Sequence, residues 1–107
     1  MPSDAQPVKL ILSYDIQPDI SQESYFQFIL GEMVPALQSL GVHMSGAWHT
    51  AYGNYPIRLV EFIAPDRATL DDVLTSTTWA EMEDKLGEFV MNYSKKVVTL
   101  KEDHFQF

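Results

Sequence analysis

The sequence predicts an α+β fold in the order strand, helix, strand, strand, helix, strand. Two observations support this order: four segments alternate between apolar and polar residues as strands do, and the segments between them place apolar residues at helical spacing. A βαββαβ order gives a four-stranded antiparallel sheet with helices on one face only. The 107 residues fit a single domain over positions 1–107. The sheet face without helices must then be shielded from water in another way.

The first strand and the first helix are predicted from positions 8–16 and 22–40. The strand alternates and is apolar on much of both faces, which is typical of a central strand. Ser21 is the expected N-cap and Gly41 the expected end of the helix. Pro35 lies inside the pattern and lacks a backbone donor, so we expect a kink near residues 31–32. The predicted buried stripe is Phe26, Ile29 or Leu30, Met33, Leu37 and Leu40.

A hairpin follows, with strands over about 42–52 and 57–64 and a turn at residues 53–54. A loop of even length places Trp48 and Glu61 on one sheet face and His49 and Arg58 on the other. A loop of odd length or a bulge would undo this pairing. The face without helices carries Ile57, Leu59 and Ile63, or Val60 and Phe62 if the register is inverted.

The last third of the chain is predicted to hold two short helices and a strand. Asp66 is the expected N-cap of the first helix, and residues 78–81 form a capping-box pattern that opens the second. The final strand is expected over about 95–101. The apolar stripe of the second helix is Trp79, Met82, Leu86, Phe89, Val90 and Tyr93.

These elements form a ferredoxin-like sandwich when both crossovers are right-handed. Either set of residues on the face without helices is too apolar to leave in water. A second copy, packed sheet against sheet about a two-fold axis, is the simplest cover. The sequence therefore predicts a homodimer that encloses a barrel-like interior, a dimeric α+β barrel with room for a small-molecule cavity.

Composition excludes several classes of protein. The formal net charge of −8, from 15 acidic and 7 basic residues, opposes binding to nucleic acid or to an anionic membrane surface. Cysteine is absent, which excludes disulfides and thiolate metal sites and fits a reducing compartment. No apolar run approaches the roughly 20 residues of a membrane span, and positions 1–7 do not resemble a signal peptide. We expect a cytoplasmic protein.

Two titratable residues are the candidates for catalysis, His49 and Glu61. Histidine side chains have an unperturbed pKa near neutrality, so His49 suits a general base, although a partly exposed or hydrogen-bonded sheet histidine is the commoner role. Glu61 interrupts an apolar strand. It is either a proton donor kept protonated by desolvation, or a structural residue that lies at a barrel rim, forms a salt bridge to Arg58 or Lys9, or makes a subunit contact. His43 and His49 are too far apart in the sequence to share a metal easily, so no metal site is expected.

Four aromatic residues could line a pocket for a flat ligand: Tyr14, Trp48, Tyr52 and Trp79. Aromatic residues at such spacings also serve in cores and interfaces, and this alternative stays open. No serine–histidine–aspartate order and no phosphate-binding glycine loop is present in the sequence.

Three segments resemble the NIPSNAP group of the dimeric α+β barrel superfamily: 33–41 (MVPALQSLG), 46–53 (GAWHTAYG) and 59–62 (LVEF). The resemblance extends over about residues 8–100 and implies the barrel fold and a dimer. Antibiotic-biosynthesis monooxygenases, stress-responsive barrel proteins and haem-degrading monooxygenases are relatives in that superfamily. Trp79 matches the helix tryptophan of the haem-degrading relatives, but Phe89 occupies their histidine position and the first strand has no asparagine, so haem degradation is not implied.

The function expected from these observations is a small barrel protein without a bound cofactor. One possibility is cofactor-independent oxygenation or isomerisation of a small flat aromatic or polyketide-like molecule. Tyr14, Trp48 and Tyr52 would then shape the site, and His49 or Glu61 would move protons. The alternatives are a ligand-binding or stress-response module without turnover, and a protein-interaction module with a collapsed cavity.

Overall fold

One layer of helices packs on one face of a four-stranded sheet. The computed structural model describes residues 6–52 and 55–99, and the side chains within these ranges except at 50–57. The elements are β1 (Val8–Ile16), α1 (Gln22–Phe28), a π-helical segment (Ile29–Met33), α2 (Val34–Gln38), β2 (His43–Tyr52), β3 (Tyr55–Ala64), α3 (Arg67–Leu74), α4 (Thr77–Leu86) and β4 (Val90–Thr99).

The sheet has the strand order β2-β3-β1-β4, and all its described pairs are antiparallel. The two chain-adjacent strands β2 and β3 form the hairpin, and β1 lies centrally between β3 and β4. This order is the ferredoxin-like arrangement that two right-handed βαβ units produce. The predicted fold class, a four-stranded antiparallel sheet with helices on one face, is therefore confirmed.

The hydrophobic core lies between the sheet and the helices. Alternate residues of β1 are buried, as expected of a strand with one face on a core. The buried residues of β3 alternate in the same way and pair with those of β1. The buried core is Val8, Leu10, Leu12, Tyr14, Tyr25, Phe28, Ile29, Met33, Leu37, Val42, Val60, Phe62, Ala64, Leu70, Val73, Trp79, Leu86 and Val90.

The predicted interruption of the first helix takes the form of the π-helical segment. The backbone N–H of Val34 reaches back to the carbonyl of Ile29, which is the i to i−5 bond of a π-helix. Pro35 follows directly and cannot donate to the carbonyl of Gly31, so the wider turn accommodates the missing donor. The prediction that Phe26 and Leu40 are buried is wrong, since they are 41% and 37% exposed.

Two predictions about the last third of the chain are also wrong. The N-cap of helix α4 is Ser76, two residues before the start of the predicted capping box at residue 78, and its hydroxyl accepts the N–H of Trp79 at 3.1 Å. The helix ends at Leu86, and β4 begins at Val90 instead of Lys95. Residues 90 and 93 contact the core from β4, and they would also contact it if helix α4 continued. Their apolar spacing therefore could not distinguish a strand from a helix.

The predicted face assignment of the hairpin is confirmed. Trp48 pairs with Leu59 and His49 pairs with Arg58 across the two strands. A register shift between Met44 and Gly46 marks a bulge at Ser45, before the part of the hairpin that holds these pairs. The sheet face without helices, called the open face below, carries the apolar residues Ile11, Trp48, Leu59, Ile63 and Val98.

Candidate functional site

The sheet separates the residues that the sequence singled out. Tyr14, His49 and Trp79 lie on the helix side, whereas Trp48 and Glu61 belong to the open face. The side chain of Tyr52 lies outside the described residues. The six residues are therefore not brought together in one site within a subunit.

Tyr14 is part of the core, where it is 1% exposed. Its hydroxyl forms a hydrogen bond with that of Tyr25, and the two rings meet edge to face with centroids 5.9 Å apart. Burial raises the pKa of both phenols above the ordinary value. Both hydroxyls therefore stay protonated at neutral pH and can act as hydrogen-bond donors but not as bases.

Trp79 is also buried, at 2% exposed, beneath a polar cluster of α4 and β4. The Lys95 ammonium lies 5.4 Å from its ring centroid and donates to Glu83 Oε2 at 2.8 Å. The Tyr93 hydroxyl donates to the same oxygen at 2.7 Å. Burial raises the pKa of Glu83, but these hydrogen bonds and the charge of Lys95 outweigh it and lower the pKa below its usual value. The cluster joins α4 to β4.

Glu61 forms a salt bridge on the open face. Its Oε1 atom lies 3.0 Å from Lys9 Nζ and accepts a hydrogen bond from the Ser45 hydroxyl at 3.1 Å. The carboxylate side chain is 14% exposed, so the ion pair is partly shielded from water. Of the two roles that the sequence left open for this residue, the geometry matches the salt bridge to Lys9.

Trp48 lies over Gly46 on the open face and is 51% exposed. A Cβ atom added at Gly46 would be 2.5 Å from Cη2 of the indole, closer than real Cβ contacts occur. The absence of a side chain at position 46 is therefore what lets the indole lie flat along the strand.

Two depressions on the helix side of the hairpin form the candidate site. The first, the His49 cleft, has a volume of about 230 Å³ and is lined by Ile16, Gln17, Ile20, Gln22, His49 and Arg58. The second, the aromatic groove, has a volume of about 200 Å³ and lies between the first helix and the hairpin. Phe26 and Leu30 line it from the first helical region and are each more than 40% exposed.

Arg58 lines both depressions and separates them. Its Nη2 atom donates to Gln22 Oε1 at 2.7 Å, and its guanidinium carbon lies 5.4 Å and 5.2 Å from the ring centroids of Tyr25 and Phe26. These distances are typical of cation–π contacts. The side chain is thereby held between the helix and the sheet.

The neighbouring positions of His49 and Arg58 were predicted from the sequence, but the aromatic groove was not. The predicted helix stripe assigned Phe26 to the core, whereas Tyr25 and Phe28 are the residues that α1 buries. A helical wheel with its buried stripe centred on Tyr25 and Phe28 would have placed Phe26 and Leu30 at the edge of that stripe. This was the sequence signal from which the groove could have been predicted.

The described residues contain no cluster of three or more histidine, aspartate or glutamate side chains arranged to hold a metal ion. None of the helices in this part of the chain is long and apolar enough to cross a membrane.

Comparison with known proteins finds similarity in structure only. No family model matches the sequence, and no curated protein matches it. A NIPSNAP family protein from Agrobacterium tumefaciens aligns over 95% of this chain and 92% of its own, with a TM-score of 0.65 and 11% identity. SnoaB, a cofactor-independent oxygenase from Streptomyces nogalater, aligns over 95% of this chain and 100% of its own, with a TM-score of 0.67 and 8% identity.

A third solved structure is a dimeric protein of unknown function and ferredoxin-like fold from Bacteroides fragilis. It aligns over 88% of this chain and 96% of its own, with a TM-score of 0.58 and 11% identity. At such low identities the similarity concerns the fold. The chain therefore has the ferredoxin-like α+β fold that solved NIPSNAP family proteins and a cofactor-independent oxygenase also have.

Proposed function

We propose that this protein is a homodimer that binds a small flat aromatic or polyketide-like molecule in the aromatic groove of each subunit. The observation that supports the proposal is the groove itself, where Phe26 and Leu30 expose apolar surface beside the polar His49 cleft. Apolar walls with a few polar groups at one end are typical of small-molecule sites. We further propose that the molecule is turned over without a cofactor, by oxygenation or isomerisation.

In this proposal His49 is the proton acceptor of the site. It lies in the cleft that adjoins the groove at Arg58, whereas Glu61 is on the opposite sheet face and paired with Lys9. Removal of a proton by His49 would leave an electron-rich anion of the substrate. In an oxygenation, that anion supplies the electrons, one atom of dioxygen enters the product and the other leaves as water. In an isomerisation, the proton returns at another carbon.

The dimer in this proposal covers the open face. Ile11 on β1 and Leu59 and Ile63 on β3 contribute apolar surface to this face. Trp48, which pairs with Leu59, extends this surface onto β2. The Lys9–Glu61 pair beside them carries no net charge. A second copy, packed sheet against sheet, would remove this surface from water and form the dimeric α+β barrel. Glu61 and Lys9 would then be subunit-contact residues.

The groove is tested with a matched pair of variants, Leu30→Glu and Leu40→Glu. Both leucines are exposed on the first helical region, at 57% and 37%, but only Leu30 lines the groove. A panel of hydroxylated naphthalenes and naphthoquinones is titrated against the tryptophan emission of the protein. Turnover is followed with an oxygen electrode and by product chromatography. We expect Leu30→Glu to abolish binding and Leu40→Glu to leave it unchanged. Equal binding by both variants would contradict the groove as the site.

The dimer is tested by light scattering at low micromolar concentration. We expect the mass of a dimer for the wild type and for the control Ala68→Asp, whose site is exposed on α3. Ile11→Asp should give a monomer or an unfolded chain, because an unpaired charge buried at an interface costs several kcal/mol. A monomeric wild type would refute the dimer directly.

A ligand-binding module without turnover is the second candidate. The observation that favours it is that the Tyr14 and Tyr25 hydroxyls bond to each other and stay protonated, so neither serves as a base beside the groove. Binding of the panel without oxygen uptake or product would support this candidate over the enzyme.

A further inference from the structure

Arg58 differs from most of the other basic residues in the described part of the chain. Lys9, Arg67, Lys85 and Lys95 each form a salt bridge with a carboxylate. The hydrogen bond of Arg58 goes instead to the neutral amide oxygen of Gln22. In a chain with a formal net charge of −8, an arginine whose described partners are an amide and two aromatic rings is a strong local attractor for an anion.

The guanidinium is also fixed in place before any ligand arrives. Tyr25 and Phe26 lie at cation–π distance from it, and the 2.7 Å bond to Gln22 restrains its rotation. An arginine has five N–H donors, and the bond to Gln22 uses one of them. A restrained arginine loses less conformational entropy when it binds an anion than a mobile one does.

The cleft beside Arg58 has the composition of an anion site. His49 is its cross-strand neighbour, and the cleft is otherwise lined by two glutamines and two isoleucines. The six lining residues that the structure describes include no carboxylate that would repel an anion or compete for the guanidinium. Amide N–H groups, an imidazole and a planar guanidinium together match the acceptor oxygens of a carboxylate.

We propose that the His49 cleft binds the carboxylate of the ligand while the aromatic groove holds its rings, so that the ligand is a flat aromatic monocarboxylic acid. Arg58 lines both depressions. A single molecule that spans this side chain would therefore have its acid group in the His49 cleft and its rings in the aromatic groove. This inference rests on the proposed function, because it assumes that the groove is the ligand site. A monoanion is favoured over a phosphate dianion because one fixed guanidinium balances one negative charge.

The test compares three ligands of similar shape by calorimetric titration: 1-naphthoate, its neutral analogue 1-naphthalenemethanol, and 1-naphthyl phosphate. We expect the wild type to bind naphthoate about tenfold or more tightly than the alcohol, the size typical of one charge-assisted bond. Arg58→Gln should remove this preference while it leaves the affinity for the alcohol within a factor of two. His49→Gln, at an exposed position, should reduce the preference without a folding cost.

Arg67→Gln is the matched control, because Arg67 is an exposed arginine on α3 whose bond to Asp71 lies outside the cleft. It should keep the full preference for the acid. Equal affinities for the acid and the alcohol would overturn the carboxylate site and leave the groove standing. Tighter binding of the phosphate than of the acid would overturn the choice of ligand class. Failure of all three ligands to bind would overturn the groove, and with it the proposed function.

Discussion

Replacing Gly46 with alanine is expected to displace the indole of Trp48 from the open face. The new Cβ atom would lie 2.5 Å from Cη2 and 3.0 Å from both Cζ2 and Cζ3 of that ring. Contacts of this length cannot persist, and the indole is the group that can move, because half of it is already exposed. The substitution therefore tests whether the absence of a side chain at position 46 allows the Trp48 indole to pack against the strand.

The expected loss of stability follows from the covered part of the ring. A tryptophan buries roughly 150–250 Å² when it is fully covered, so a half-covered one buries about 100 Å². At ~25 cal/mol per Å² this area stabilises the fold by up to about 2.5 kcal/mol. Alanine is better than glycine in a strand by roughly 0.5–1 kcal/mol, which offsets part of the loss. We expect Gly46→Ala to lower the free energy of unfolding by about 1–2 kcal/mol.

The assay is urea denaturation at one fixed protein concentration, together with the emission spectrum of the folded protein. We expect a lower midpoint with an unchanged slope and a red shift of the Trp48 emission. Gly31→Ala is the control, since a Cβ atom there would meet no atom within 4 Å. It should be neutral or slightly stabilising.

A double-mutant cycle with Trp48→Ala separates the clash from other effects of the alanine. Without the indole, Gly46→Ala should become neutral or stabilising by up to about 1 kcal/mol, which gives a coupling energy of about 1–3 kcal/mol between the two residues. The reasoning is refuted if Gly46→Ala keeps wild-type stability and emission, or if its cost is the same with and without Trp48.

Four further outcomes are expected. Glu83→Gln should lower the melting temperature at pH 7. Because the pKa of Glu83 is depressed in the folded state, the ionised carboxylate stabilises the fold fully above its ordinary pKa of about 4.3, and this stabilisation is lost as the pH falls through the lower folded value. The difference in melting temperature from the wild type should therefore shrink in acid. An equal difference at pH 7 and at pH 3 would contradict this. Gly41→Ala should destabilise by about 1–2 kcal/mol, because residue 41 has a φ of 93°; a neutral effect in urea denaturation would disagree. Pro35→Ala should let the π-helical segment become α-helical without loss of the fold, which carbon chemical shifts would detect, and an unchanged segment would show that proline does not cause it. Protein purified without metal-affinity resin should contain no stoichiometric zinc or iron by elemental analysis, since the sequence has no cysteine and no close histidine pair.

The first two-thirds of the fold could be predicted because several local signals agreed there. The caps at Ser21 and Asp66 were identified from residue type, and each accepts the expected backbone N–H, at 3.1 Å and 2.7 Å. The last third was harder, because a strand that follows a helix over the same core repeats its apolar spacing. Asn92, with a φ of 57° at a bulge, lies where the prediction had a helix.

The candidate site could be predicted only in part. The hairpin register placed His49 beside Arg58, since side chains alternate between faces along paired strands. The aromatic groove depends on how α1 is rotated against the sheet, and a shift of one residue in the buried stripe moved Phe26 from the expected core to the groove wall. The spacing of apolar residues in a helix predicts the width of its buried stripe more reliably than the residue at the centre of the stripe.

The sequence by itself determined the order of the elements, the faces that Trp48, His49, Arg58 and Glu61 occupy and the apolar character of the open face. These properties follow from periods of 2 and 3.6 residues and from local capping, so neighbouring residues are enough to specify them. Only the tertiary structure decided that Glu61 pairs with Lys9, that Tyr14 and Trp79 belong to the core, and that Arg58 separates two depressions. Those contacts join residues that are far apart in the chain, and their geometry is fixed only when the helices pack on the sheet.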